Sequence, residues 1–322
     1  MITFDQLKSA LENIYISPLE LCNLNCRLCY TNKTKNILTN DQILAFIDKY
    51  QHYLQDSTFK ASIFESVQYD SIGQPKKFLT KKLKLKSILF CGGEVFTLKT
   101  FPDLINNLQT QNIFISIITN GTINRLDEIK DPHNCQLLVS LDGPESIHDQ
   151  NRGPGNFKKT ISFISSALQK GFPVEIMYLV TPESYPYLNT FNVFDLKNNF
   201  ITVKSKFFNS KLDNPSLTSS QIINIKNNYS SIPSKNFGCF QLSLQSDGLI
   251  YGCCESPYSL GKITDNPKIY VDKFIKSLKI CTKCTNGNEP CLGCTAPDFL
   301  CGYKQELKFI SCRDVVKSFN AK

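Results

Sequence analysis

The sequence feature that most restricts the fold is an alternation of short apolar runs and helical patterns over roughly the first two-thirds of the chain. The strand candidates are residues 14–17, 85–90, 113–119, 136–141, 174–180 and 200–208. Apolar residues recur at helical spacing at 39–54, 101–110 and 156–170. Thr39 and Gln42 form a capping box at the start of the first helix. Strands that alternate with helices form a parallel sheet with right-handed crossovers, so the pattern predicts an α/β fold with six strand units.

A loop with three cysteines follows the first strand candidate. Cys22, Cys26 and Cys29 have the spacing C-x3-C-x2-C, and the next cysteine is Cys91. A structural zinc site closes with four ligands, whereas thiolates that hold an iron–sulfur cluster can leave one iron open for chemistry. The loop therefore predicts an iron–sulfur site that lacks one protein ligand. Three cysteines that cluster by chance are the alternative.

This loop resembles the C-x3-C-x-Φ-C signature of the radical S-adenosylmethionine (SAM) enzymes, with Leu28 at the usual aromatic position. The resemblance implies a [4Fe-4S] cluster whose open iron is chelated by SAM. It also implies that the six units form a partial (β/α)6 TIM-like barrel, with the site at the carboxyl ends of the strands. Gly92, Gly93 and Glu94 follow the second strand and resemble the GGE motif of the family, which binds the amino group of the methionine moiety. We expect Cys91 beside them to be a packed thiol.

Two more strand ends carry polar motifs that resemble SAM contacts in peptide-modifying members of the family. Ser140 is assigned to the ribose and Arg152 to the methionine carboxylate, since a guanidinium can pair with both carboxylate oxygens. The remaining cofactor-binding candidates are Leu28, Asn120, Asp142 and Val180. Ordinary polar turns are the alternative for 119–121 and 140–144. His148 is predicted to be a surface or loop residue rather than a ligand.

The last third of the chain is rich in cysteine. Nine of the fourteen cysteines lie there: Cys239, Cys253, Cys254, Cys281, Cys284, Cys291, Cys294, Cys301 and Cys312. The spacing C-x2-C-x6-C-x2-C at 281–294 is also typical of a zinc ribbon, which stays an alternative. Together with the segments 247–253 and 260–263, the order and spacing of these cysteines resemble the SPASM domain, a small extension that carries auxiliary [4Fe-4S] clusters.

The SPASM resemblance implies a ligand set for one or two auxiliary clusters. In that domain the ligands of the two clusters are interleaved along the sequence, so Cys239, Cys253 and Cys294 would bind the nearer cluster. The farther cluster would take Cys281, Cys284, Cys291 and either Cys301 or Cys312. Cys254 either completes the nearer cluster or leaves one of its irons open. Asp247 and Glu255 are candidate proton acceptors, with a turn residue and a surface group as the respective alternatives.

The predicted domains are a radical SAM partial barrel at 1–210, with an insertion at about 60–82, and a SPASM/twitch-like domain at 237–322. A polar linker at 211–236 separates them. No apolar run approaches the roughly 18 residues of a membrane span, and the N-terminus lacks a signal-peptide pattern. Fourteen cysteines in such a chain indicate metal or redox use in a reducing cytoplasm, without membrane association.

The net charge of +8 is concentrated in part between Lys76 and Lys86. A solvated strand edge and a docking patch for an acidic partner are the two interpretations of this stretch. Its lysines are not interleaved with a series of aromatic residues, since Phe78 is the one aromatic in the stretch. This disfavours nucleic-acid binding by a non-catalytic zinc or iron–sulfur module, the most distant alternative.

The family resemblance implies that the chain cleaves SAM reductively to a 5'-deoxyadenosyl radical, which abstracts hydrogen from a substrate. We expect a peptide or protein side chain as the substrate, with a small-molecule sugar or cofactor precursor as the alternative. An external electron donor of the flavodoxin or ferredoxin type is the expected partner. Because only 21 residues precede Cys22, leader recognition is expected to need a separate leader-binding protein or the surface of the barrel itself.

Overall fold

The computed structural model describes residues 13–29, 31–54, 68–69, 75–76, 86–188, 205–208, 218, 220–221, 224, 241–251 and 259–266. The strands in these ranges are β1 (Asn13–Ile16), β2 (Gln68–Tyr69), β3 (Pro75–Lys76), β4 (Lys86–Phe90), β5 (Ile113–Thr119), β6 (Cys135–Ser140), β7 (Val174–Leu179), β8 (Ser205–Phe208), β9 (Gln241–Leu244), β10 (Leu249–Tyr251) and β11 (Ser259–Lys262). The α-helices are α1 (Asn40–Tyr50), α2 (Phe101–Thr110), α3 (Glu145–Arg152) and α4 (Asn156–Gln169).

Nine of these strands form one sheet, in the order β11-β10-β9-β1-β4-β5-β6-β7-β8. From β1 to β8 the neighbours are parallel, and β9 lies parallel to β1 on its other side. The strands β10 and β11 continue the sheet as antiparallel neighbours. The prediction of a mixed α/β fold with a parallel sheet is therefore confirmed, while closure into a partial barrel stays a prediction.

The central strands are buried on both faces, which explains their continuous apolar sequences. In β5 six of the seven residues are buried, and in β6 the five residues before Ser140 are buried. Helices cover parallel sheets of this kind on their faces. Phe46 of α1, Leu104 of α2 and Phe163 of α4 all belong to the same apolar core.

The ends of the helices follow from local sequence signals. The Oγ1 of Thr39 accepts from the backbone N–H of Gln42, and the Gln42 side chain accepts from the N–H of Thr39, so the predicted capping box is confirmed. The helix α4 ends before Gly171, whose φ of +85° suits a residue without a Cβ.

Helix α3 and the strands β2, β3, β9, β10 and β11 were not predicted. Helix α3 has only one aliphatic residue, Ile147, so its sequence lacks an apolar stripe. The hairpin of β9 and β10 consists of strands of four and three residues. Because β9 hydrogen-bonds to β1, the segment after the predicted linker enlarges the main sheet. The division into two domains and the SPASM-like identity of the second stay predictions.

The carboxyl ends of the parallel strands meet at one edge of the sheet, where sites of such folds gather. The cysteine loop follows β1, the segment 91–94 follows β4, Asn120 follows β5, Asp142 lies two residues after β6, and Val180 follows β7. Among the helices that the structure describes, none is both long and apolar enough to cross a membrane.

Candidate functional site

The segment 17–21 carries the chain from β1 to the cysteine loop and lies against the backbone of Gly92 and Gly93. The N–H of Gly93 donates to the carbonyl of Leu19 at 2.9 Å, and the N–H of Glu94 donates to that of Leu21 at 3.0 Å. A Cβ on Gly93 would lie 1.9 Å from the Leu21 oxygen. Because glycine has no Cβ, Gly92 and Gly93 admit the backbone that leads into the loop.

The three thiols of the loop are free and half-buried. Burial raises the pKa of the Cys26 thiol, the charge of Arg152 partly opposes this effect, and the neighbouring Cys22 and Cys29 raise the pKa further. Within the described part of the chain, no three metal-binding side chains lie close enough together to hold one ion. Cysteine thiolates are the usual protein ligands of iron–sulfur clusters. This donor set fits a cluster.

Hydrogen bonds hold the loop at its start, in its middle and at its end. At its start, Asn120 Nδ2 donates to Cys22 Sγ at 3.6 Å and to Asn23 Oδ1 at 3.0 Å. In its middle, Lys33 Nζ donates to the Leu24 carbonyl at 3.1 Å. The loop therefore has a fixed backbone path in which the thiols are only partly exposed.

At its end, the loop is held by Asn151 of α3. The N–H of Arg27 donates to the Asn151 carbonyl at 2.7 Å, and the N–H of Leu28 donates to Asn151 Oδ1 at 2.9 Å. The carbonyl is one of those that a helix C-terminus leaves without an intrahelical donor. The cysteine loop thus provides a backbone donor to the end of α3.

Glu94 is fully buried at the end of β4. Its Oε2 accepts from the N–H of Asn120 at 2.7 Å, and its Oε1 accepts from Thr119 Oγ1 at 2.9 Å and from the N–H of Phe96 at 3.2 Å. Burial nevertheless raises the pKa of Glu94 to about 7. Its charge also raises the pKa of the Cys22 thiol, behind the larger effect of burial. The carboxylate therefore lies near the cysteine loop and joins the ends of β4 and β5.

Asp142 and Arg152, both predicted as cofactor-binding residues, bind each other. Arg152 Nε donates to Asp142 Oδ2 at 2.6 Å and Nη2 donates to Oδ1 at 3.0 Å. The side chains are only 14% and 3% exposed. Burial alone would raise the pKa of Asp142, but the charge and hydrogen bonds of Arg152 outweigh it and lower this pKa. The Arg152 guanidinium, predicted to bind the carboxylate of the cofactor, thus already binds a carboxylate of the protein.

The prediction that His148 lies on the surface or in a loop is wrong. His148 belongs to α3 and is fully buried, with its ring edge-on to Phe157. Its Nδ1 accepts from the N–H of Asp142 at 3.3 Å, while its Nε2 is buried without a hydrogen-bond partner among the described residues. Burial lowers the pKa of His148 to about 4, so the ring is neutral at pH 7.

The other predicted residues at the sheet edge occupy different depths. Ser140 is half-buried at the end of β6, Val180 is buried after β7, and Cys91 is buried as predicted. Leu28 faces a small cavity between the cysteine loop and the end of β7. The cavity is lined by Arg27, Leu28, Asp142, Ile147, Gln150, Asn151, Leu179, Thr181, Glu183 and Ser184.

Asp247 lies in the turn between β9 and β10. Its carboxylate accepts from the N–H of Leu249 at 2.9 Å and from the hydroxyl of Tyr251 at 2.7 Å. These bonds support the alternative of a turn residue. The other C-terminal candidates lie outside the described residues: Cys239, Cys253, Cys254, Glu255, Cys281, Cys284, Cys291, Cys294, Cys301 and Cys312.

Two residues that hold the loop were not predicted. Lys33 and Asn151 lie far from one another in the sequence, and their partners are mostly backbone atoms of 24–28. No spacing rule reveals such contacts. The only available signal for Asn151 was its position next to Arg152.

Comparison with known proteins agrees with this geometry. The family model of the Radical SAM superfamily matches residues 16–190, more than half of the chain. The radical SAM cyclopropyl synthase TigE of Paramaledivibacter caminithermalis is 24% identical over 186 residues, which cover 56% of this chain and 37% of that protein.

Two solved structures share the fold at low sequence identity. SuiB of Streptococcus suis bound to its precursor peptide SuiA has a TM-score of 0.57 at 12% identity, over 82% of this chain and 64% of SuiB. The enzyme anSMEcpe, with AdoMet and the Cp18Cys peptide bound, has a TM-score of 0.59 at 19% identity, over 85% of this chain and 86% of the other. The chain therefore spans less than two-thirds of the length of both TigE and SuiB.

Proposed function

Because this chain belongs to the Radical SAM superfamily, we propose that it reductively cleaves SAM and uses the resulting radical to modify a peptide or protein side chain. The observation that carries the proposal is the loop of Cys22, Cys26 and Cys29, three free thiols at the carboxyl end of β1, which is the donor type that binds an iron–sulfur cluster. When bound, the cluster supplies the electron for cleavage of the sulfonium.

The residues around the loop would bind and orient SAM. Glu94 is the proposed partner of the methionine amino group, together with the backbone of Gly92 and Gly93. With a pKa near 7, Glu94 would lose its proton when an ammonium binds beside it, since an opposite charge favours the ionised form. A further role of these residues is to exclude water from the loop.

Arg152 is the proposed partner of the SAM carboxylate. Its Nε and Nη2 are occupied by Asp142, and within the described residues Nη1 makes no hydrogen bond. Asp142 would therefore orient the guanidinium and leave its Nη1 donors for the cofactor. Leu28, Asn120, Ser140 and Val180 complete the proposed cofactor set, with Ser140 addressing the ribose.

The C-terminal cysteines are proposed to hold one or two auxiliary [4Fe-4S] clusters, by resemblance to the SPASM domain. Cys239, Cys253 and Cys294, with or without Cys254, would bind one, and Cys281, Cys284 and Cys291 with Cys301 or Cys312 the other. These clusters would take up the electron when the substrate radical is oxidised, with Asp247 or Glu255 as proton acceptor. An external flavodoxin or ferredoxin would supply the first electron.

A peptide substrate is supported by the neighbours. The SuiB structure contains the precursor peptide SuiA, and the anSMEcpe structure contains a peptide. Recognition of a leader segment through a separate protein is part of the proposal. A small-molecule substrate remains the second candidate, since the analogy rests on fold.

Metal analysis after anaerobic reconstitution tests the proposal. We expect roughly 8–12 irons per chain, as two or three four-iron clusters give. About four irons with stoichiometric zinc would instead make the C-terminal segment a zinc ribbon.

Product analysis tests the chemistry. Cys26→Ala should abolish formation of 5'-deoxyadenosine from SAM, whereas Cys135→Ala, a matched change at a fully buried cysteine outside the loop, should leave it intact. Formation of 5'-deoxyadenosine by Cys26→Ala would refute the assignment. Mass spectrometry with short peptides encoded beside the gene would then identify the substrate.

A further inference from the structure

Asn151 makes contacts on two sides that distinguish it from the other residues of α3. Its Oδ1 accepts from the N–H of Leu28 at 2.9 Å, and its Nδ2 donates to Asp142 Oδ2 at 2.7 Å. The residue is only 6% exposed. The amide therefore lies directly between the backbone of the cysteine loop and the buried Asp142–Arg152 pair.

We infer that Asn151 is a positioning residue that sets the conformation of the cysteine loop between Cys26 and Cys29 and couples it to the Asp142–Arg152 pair. The catalytic significance of this inference rests on the proposed function, whereas the contacts themselves join residues of this chain only. The backbone N–H groups of Arg27 and Leu28 lie between the two thiols, so their direction decides where both sulfurs point.

The contacts of the site suit an amide at position 151. One side of the group accepts from a backbone N–H and the other donates to a carboxylate, which the oxygen and the nitrogen of an amide do from opposite sides of one planar group. An aspartate at this position would keep an acceptor for the N–H of Leu28 but would place a second negative charge against Asp142. Like charges at this separation in a buried site are strongly unfavourable.

The same geometry explains how the cofactor-binding side of the site could communicate with the cluster side. Asp142 accepts from Arg152 through both oxygens, and its Oδ2 also accepts from Asn151 Nδ2. A shift of the Arg152 guanidinium would move Asp142, and through Asn151 it would move the N–H of Leu28. The loop and the proposed carboxylate site therefore share one hydrogen-bonded network.

The first test is hydrogen exchange at single-residue resolution on the full metal-free chain. In Asn151→Ala the amide of Leu28 loses its acceptor and should exchange roughly tenfold faster. The amide of Arg27 donates to the backbone carbonyl of residue 151, which the substitution keeps, so it should change by less than about threefold. Unchanged exchange at Leu28 would overturn the inference.

The second test is Asn151→Asp, which keeps an acceptor for the N–H of Leu28 but replaces the donor to Asp142 with a negative charge. Repulsion from Asp142 should displace this side chain from the loop and accelerate exchange at Leu28, whereas unchanged exchange would overturn the coupling to Asp142. Asn156→Ala is the matched control. Its Nδ2 donates to the carbonyl of Arg152 at 2.8 Å, so it supports the end of α3 without touching the loop. Equal acceleration in Asn156→Ala would mean that Asn151 acts only on helix stability.

The third test uses the reconstituted chain. The electron paramagnetic resonance spectrum of the reduced cluster should change in Asn151→Ala and stay unchanged in Asn156→Ala. A wild-type spectrum in Asn151→Ala, despite faster exchange at Leu28, would refute the positioning role. If no variant and no wild-type sample binds iron, the proposed function fails, whereas the exchange result still decides whether Asn151 holds the loop.

Discussion

A methyl group added at Gly93 should disrupt the path into the cysteine loop without touching a thiol. The Cβ of Gly93→Ala would lie 1.9 Å from the Leu21 oxygen and 2.7 Å from the carbonyl carbon of Glu20. Both are backbone atoms, so no side-chain rotation relieves the clash. The segment 19–21 must move away, and two backbone hydrogen bonds, Gly93 to Leu19 and Glu94 to Leu21, are lost or stretched.

The cost of this change can be bounded. Two hydrogen bonds contribute about 1–3 kcal/mol together, and forcing an extra methyl group into a packed site typically costs about 1–3 kcal/mol. We expect Gly93→Ala to lower the free energy of unfolding by about 2–6 kcal/mol, a large part of the about 5–15 kcal/mol that stabilises a typical protein. Urea denaturation of the metal-free chain, read as a shift of the midpoint at constant slope, measures this difference.

Gly248→Ala is the control for Gly93→Ala. Gly248 has a φ of +77° and no atom within 4 Å of an added Cβ, so its substitution adds backbone strain without a clash. That strain should cost about 1–2 kcal/mol. If Gly93→Ala costs no more than Gly248→Ala, and binds iron as the wild type does, the close approach of the two segments is not what holds the loop.

Further predictions concern charged groups at the same edge of the sheet. The pKa of Glu94 is raised to about 7, so its contribution to stability is full below its unfolded pKa near 4.5 and is lost as the pH rises to 7. The pKa of His148 is lowered to about 4, so its contribution is the opposite, and stability is gained as the pH rises from 4 to 6.5. Each is worth about 3 kcal/mol, so the two largely cancel. In urea denaturation followed from pH 4.5 to 6.5, the free energy of unfolding of Glu94→Gln should increase with pH and that of His148→Asn should decrease. Parallel pH profiles of the two variants would contradict this. Arg152→Ala should cost about 3–5 kcal/mol of stability, since Asp142 stays buried and unpaired, and about tenfold or more in SAM affinity by calorimetry. Adding Asp142→Asn should restore stability but not affinity, and recovery of both would show that Arg152 does not bind SAM. Lys33→Met should move the cluster potential to more negative values in redox titration, by roughly 40 mV for each kcal/mol of lost interaction, while an unchanged potential would limit Lys33 to a structural role.

The parallel sheet was predictable because its strands carry local signals. The runs at 113–119 and 136–141 are continuous and apolar since both faces are covered, and Thr39 with Gln42 fixes the start of α1 within its own turn. Helix α3 escaped prediction because its buried residues include the polar His148 and Asn151, whose partners come from other parts of the chain.

The candidate site was predictable only in its residue types. Motif spacing placed the loop, Glu94 and Arg152 at one edge of the sheet, which the strand order agrees with. The pairing of Arg152 with Asp142 depends on the fold of α3 against β6, which no local pattern specifies. The same holds for the contact of Lys33 with Leu24, because it depends on the path of the chain between α1 and the loop.

The position of β9 beside β1 has a consequence for the design of fragments. Four residue pairs join the two strands, and the N–H of Ser17 donates to the Leu244 carbonyl at 2.8 Å just before the cysteine loop begins. A fragment that stops before residue 241 would expose the whole hydrogen-bonding edge of β1, and unpaired edges of this kind recruit strands from other molecules. Truncated variants should therefore retain the hairpin of β9 and β10, even when only the N-terminal cluster is to be studied.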